Sequence, residues 1–133
     1  MSTSKTEQAV LTAVEVMTAA FHAKDIEGVM ASYAPGATIV FEPGVAVDDP
    51  AAQREAFEGF FAISPQFTYS GHDVLVSGNR AVHFAPWTMR GTQPDGQAVE
   101  MTGLSVAVLE RQPDGQWLMV IDNPYGGHLL AAG

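Results

Sequence analysis

The sequence predicts an α+β fold: three N-terminal helices packed on a curved, mostly antiparallel sheet, together shaped as a cone. Three observations carry this. Helical periodicity is confined to the first half of the chain. From Pro65 onward, β-branched and aromatic runs alternate with turn signals. Two of the turns are near copies, Gln93-Pro94-Asp95-Gly96-Gln97 and Gln112-Pro113-Asp114-Gly115-Gln116, in which Pro presets φ and Gly takes the φ > 0 position a hairpin needs. Long strands twist and curl. Helices on one face then close a cone whose open end is a cavity.

The elements follow in order. Ser4 with Glu7 three residues on reads as a capping box. Behind it Val10, Val14, Met17 and Phe21 recur at helical spacing, predicting a helix over 5–23. Asp25 is the expected N-cap of a second, shorter helix carrying Ile26, Val29, Met30 and Tyr33, stopped by Pro35-Gly36. Residues 37–41 are a compact strand ending at Glu42-Pro43-Gly44. Asp49-Pro50 reads as an N-cap with Pro at the first helical position, opening a third helix that buries Ala56, Phe57, Phe60 and Phe61. Strands are expected over 67–76, 80–90, 97–111 and 116–123, the first two joined at Ser77-Gly78-Asn79. A single domain over 1–133 is expected, with 126–133 as a flexible tail.

Composition narrows the function. With 47% hydrophobic and 16% charged residues in 133, the chain can fold on its own core. Six Lys+Arg against fifteen Asp+Glu give a net charge of −9, which repels phosphate backbones and anionic lipid. Nucleic-acid and membrane partners are therefore not expected. Zero cysteines excludes disulfides and thiol chemistry. The start of the sequence shows no signal-peptide pattern, and the expected location is cytoplasmic. His22, His72, His83 and His128 have no metal-ligand spacing, so neither a metal nor a cofactor is expected.

Three stretches in this order resemble the nuclear-transport-factor-2-like superfamily, which includes ketosteroid isomerase and the SnoaL-like proteins. They are residues 22–38, the hairpin Val76–His83, and the final strand with Asp114-Gly115-Gln116-Trp117 closing on Asp122-Asn123-Pro124. The resemblance implies a cone with a ligand cavity and a homodimer through the sheet. It also implies a choice of reaction, because members include isomerases, cyclases, dehydratases and proteins that only bind or assemble. A ketosteroid isomerase has a carboxylate base after the first strand, near Glu42. Its two oxyanion donors fall here at about Met17 and among Ser105, Val106 and Ala107, none of which is an acid or a Tyr. That particular mechanism is not expected. The SnoaL-like cyclases use a late Asp, which Asp122 matches.

Asp122 is the leading catalytic candidate, because it ends the apolar run Leu118–Ile121. Period-2 alternation sets it on one face with Leu118 and Val120, where burial would raise its pKa. A cap on the Asn123-Pro124 turn is the other reading. His83, between small and aromatic neighbours on the face of Ala85 and Trp87, is a candidate proton shuttle or a core histidine. Glu42 is either an acid at the first strand or a solvated turn residue. Trp87, Tyr33, Tyr69, Leu118 and Val120 are expected to line the ligand cavity. His22, at a helix C-terminus, is expected as a capping imidazolium, and His72 and His128 as exposed residues. Two functions stay open: a cofactor-independent acid/base enzyme (isomerase, cyclase or lyase) acting on a small hydrophobic carbonyl compound, or a non-catalytic ligand-binding or dimerisation domain.

Overall fold

A computed structural model of the chain describes residues 4–131. α1 (Lys5–His22) starts where the Ser4 hydroxyl accepts the Glu7 N–H at 3.1 Å. α2 (Ile26–Met30) is capped by Asp25, which accepts from the Gly28 N–H at 3.1 Å. β1 (Tyr33–Glu42) and the short β2 (Val45–Val47) form a hairpin before α3 (Pro50–Phe61). Then come β3 (Gln66–Tyr69), β4 (Asp73–Ser77), β5 (Arg80–Thr92), β6 (Ala98–Arg111), β7 (Trp117–Asn123) and α4 (His128–Ala131). Of the segment expected as a tail, the Gly126 N–H donates to the Leu104 carbonyl at 2.8 Å and α4 follows. Residues 132–133 lie outside the described residues.

The seven strands make one sheet in the order β2-β1-β7-β6-β5-β3, with β4 also paired to β5. All pairings are antiparallel except β1 with β7. The two copied turns behave as their sequence predicts: Gly96 and Gly115 take φ of 89° and 91°.

Two expectations of the sequence are corrected. Tyr33 does not continue α2; it opens β1 and pairs with Met119. Pro35 disfavours helical φ/ψ at Ala34 and carries no N–H, so the chain is extended before it. The strand expected over 67–76 is two strands, broken at Ser70-Gly71-His72. The break lies opposite Pro86 of β5, whose carbonyl accepts the Ser70 N–H at 3.1 Å but whose ring nitrogen has no proton for that edge.

The concave face of the sheet meets α1 and α3. Val10, Val14 and Phe21 of α1 and Phe57 of α3 pack with Ile39, Leu109, Trp117 and Met119. Each such side chain contributes about 1.5–3 kcal/mol by leaving water. Gln53, buried in α3, donates to the carbonyls of Ala37 and Val47, both at 2.8 Å, and so pins the β1–β2 hairpin beneath the helix. On the convex face Leu75, Val82, Val108 and Ile121 lie in register across β4, β5, β6 and β7. Leu75 and Ile121 are exposed there. Among the described residues no helix is long and apolar enough to cross a membrane.

Candidate functional site

Asp122 owes its position to two irregularities. On β7, Leu109 pairs with Met119 but Val108 pairs with Ile121, so Val120 is an extra residue without a partner on β6. Such a bulge shifts the pleat by one residue. Asp122 therefore joins Trp117 and Met119 on the buried face, while Ile121 turns outward. This corrects the expectation that Asp122 shares a face with Leu118 and Val120. Those two do not line the cavity, because strict alternation fails at the bulge. The second irregularity is in β1, where the six residues from Tyr33 to Thr38 span only the three from Met119 to Ile121 of β7. Gly36, at φ 78°, absorbs the slack.

Together these bring the Tyr33 hydroxyl onto Asp122, where it donates to Oδ2 at 2.5 Å. Both residues are buried, and both line a cavity of about 90 Å³. Among the described residues, nothing donates to Asp122 Oδ1, yet no buried side-chain oxygen is left without a partner. Oδ1 must therefore touch open space, and the space beside it is the cavity. Among the described residues no backbone N–H caps the carboxylate, so the turn-capping reading does not describe it.

Burial raises the Asp122 pKa above its ordinary value, and the hydrogen bond from Tyr33 pulls it partly back. Tyr33 is pushed well above the usual phenol range, first by burial and then by the neighbouring carboxylate. Tyr69 lies across the cavity. Its hydroxyl is 3.1 Å from Thr18 Oγ1, which already donates to the Val14 carbonyl at 3.0 Å. Burial raises the Tyr69 pKa, the bond to Thr18 lowers it, and the charge of Asp122 adds a smaller rise. Apart from Thr18, Ser105 and Tyr125, the rest of the wall is apolar, including Phe41, Phe57, Phe60, Phe67 and Trp87.

Trp87 lines the cavity as expected, and its Nε1–H donates to the Pro124 carbonyl at 2.8 Å. Ser105, which the sequence does not mark as a ligand residue, also lines the cavity, and its hydroxyl has no protein partner among the described residues. Its signal was the alternation of β6, on which it shares a face with Ala107 and Leu109.

His83 points inward but does not reach the cavity. Its Nε2 lies 2.7 Å from Nδ1 of the exposed His72, and burial with the nearby imidazole pushes its pKa down to about 4. The break at Ser70–His72 places His72 over it, which a continuous strand would not. Glu42 is exposed outside the cavity, on the wall of a larger vestibule. His22 is not an imidazolium: its Nε2 accepts the Phe67 N–H at 2.8 Å, and burial lowers its pKa. Among the described residues no cluster of three or more His, Asp or Glu could hold a metal.

The fold is shared with solved structures of low sequence identity. A candidate ketosteroid isomerase from Shewanella frigidimarina superposes with a TM-score of 0.73 at 19% identity, over 86% of this chain and 93% of that one. A candidate scytalone dehydratase from Novosphingobium aromaticivorans gives 0.77 at 13%, over 87% and 80%. The association domain of CaMKII from C. elegans gives 0.71 at 16%, over 89% and 93%. No curated protein sequence matches significantly. The family model of the SnoaL-like domain matches residues 14–119. With that match spanning most of this cone of helices and curved sheet, the chain belongs to the SnoaL-like domain family.

Proposed function

We propose that this chain binds a small hydrophobic carbonyl compound and moves a proton on it with Asp122, as a cofactor-independent isomerase, cyclase or lyase. The observation that carries the reading is the arrangement of one carboxylate: Oδ2 is held by Tyr33, and Oδ1 is free toward an apolar cavity. A raised pKa makes it a better base toward weak carbon or hydroxyl acids. Tyr33 orients the carboxylate through Oδ2. The Ser105 hydroxyl is free to donate to an oxygen that gains charge. Trp87, Tyr69 and the Phe side chains shape the slot. His83 has no step, because it lies outside the cavity.

The test does not need the natural substrate. Small cyclic ketones and lactones in D₂O would be followed by proton NMR for loss of their α-protons. Wild type is expected to accelerate exchange, and Asp122→Asn to lose that acceleration by at least about 100-fold. Ligands that bind without any Asp122-dependent exchange would overturn the enzymatic reading.

The second reading is a non-catalytic binding or dimerisation domain. It is favoured by the apolar row Leu75, Val82, Val108 and Ile121 on the convex sheet face. The fold is also that of an association domain. A homodimer through this face is proposed under both readings.

A further inference from the structure

The cavity at Asp122 is the inner of two chambers. Beyond it lies a vestibule of about 890 Å³. Phe41, Phe60, Trp87, Met101 and Tyr125 line both chambers and form the neck between them. Tyr125 is tied across this neck: its hydroxyl donates to the Phe41 carbonyl at 3.0 Å, and its ring meets Trp87 edge-on at 6.3 Å. The chambers differ in chemistry. The inner one is walled by aromatic rings around the Asp122–Tyr33 pair. Glu42 is the one carboxylate on the vestibule wall among the described residues, beside the hydroxyls of Ser70, Thr88 and Thr102; no Lys or Arg lines it, and its one basic side chain is the exposed His128, whose Nδ1 lies 2.9 Å from the Tyr125 carbonyl.

We propose that the vestibule is a second subsite that holds a cationic amine tail of the ligand, while its neutral apolar head occupies the inner cavity. This rests on the cavity reading above and names its substrate class more closely. Glu42 supplies the counter-charge; burial raises the Tyr125 pKa, and the charge of Glu42 adds to that rise. The Trp87 and Tyr125 rings line the neck, and the quadrupole of such rings attracts a cation. The net charge of −9 draws cations toward the mouth and repels anionic tails.

Three probes of one shape test it: 4-phenylbutylamine, 4-phenylbutan-1-ol and 4-phenylbutyrate, with binding read by calorimetry at low salt. The amine is expected to bind about threefold to tenfold more tightly than the alcohol, and the carboxylate most weakly. Glu42→Gln should abolish the amine preference and leave the alcohol unchanged, whereas Asp122→Asn should leave the preference intact. Equal binding of amine and alcohol by wild type, or a preference that survives Glu42→Gln, overturns the subsite while the cavity reading stands. A preference lost in Asp122→Asn instead puts the amine in the inner cavity and also overturns it. If none of the three binds, the cavity reading fails and the subsite falls with it.

Discussion

The Tyr33 hydroxyl donates to Asp122 Oδ2 at 2.5 Å across 89 positions of sequence. Neither residue would be there without an irregular strand. The slack around Gly36 sets Tyr33, and the bulge at Val120 turns Asp122 inward. Bulges beside reactive groups commonly re-aim a side chain in this way. A carboxylate so placed weakens the fold at neutral pH and leaves one oxygen facing the cavity.

The stability cost of Asp122 is measurable. Its proton is held more tightly in the folded chain than at the unfolded value of 3.8. Its contribution is therefore fully present below that pH and is lost as pH rises through the folded pKa. Asp122→Asn, which keeps the acceptor for Tyr33 and cannot ionise, is expected to be more stable than wild type at pH 7 by about 0.5–2 kcal/mol. The gain should shrink toward pH 4. Thermal melts at both pH values check it.

The His72–His83 pair acts with the opposite sign. His83 is depressed from 6.5 to about 4, so its neutral form contributes stability above 6.5 that is lost as pH falls toward 4. Protonating both rings also removes the only acceptor in their hydrogen bond. His83→Gln is expected to flatten the decline of melting temperature between pH 6.5 and 4, with each protein referred to its own value at pH 7.5.

Gly103 leaves room for Trp87. A Cβ there would lie 2.6 Å from the indole Cζ2. Gly103→Ala should displace the ring, cost about 1–3 kcal/mol and shift the emission of Trp87 in a Trp117→Phe background. Denaturant unfolding and fluorescence spectra report both.

On the convex face, Val108→Glu puts a charge in the middle of the row formed with Val82 and Ile121. Light scattering is expected to show a dimer for wild type and a monomer for the variant, with an unchanged circular dichroism spectrum.

Much of this molecule is legible in its residues. The caps at Ser4, Asp25 and Asp49 and the two Pro-Asp-Gly turns give the helices and the long hairpins through local chemistry, which survives folding. Asp122, Tyr33, Tyr69 and Trp87 are likewise found on the cavity wall. Leu118 and Val120 are not, because alternation assumes an unbroken pleat and a bulge has no reliable signal in one strand alone. The same limit hides the Tyr33–Asp122 contact and the His72–His83 pair, each set by a break in strand pairing. Ser105 escaped because a small hydroxyl on a strand carries no chemical signature until a cavity lies in front of it.

The most direct test of the central claim is the titration of Asp122 itself, followed by the ¹³Cγ resonance of labelled aspartate and assigned by its loss in Asp122→Asn. The expected midpoint is clearly above 3.8, and higher still in Tyr33→Phe, where the bond that lowers it is gone. A midpoint at or below 3.8, or one that Tyr33→Phe leaves unmoved, would contradict a buried carboxylate held by Tyr33 with one oxygen free for the ligand.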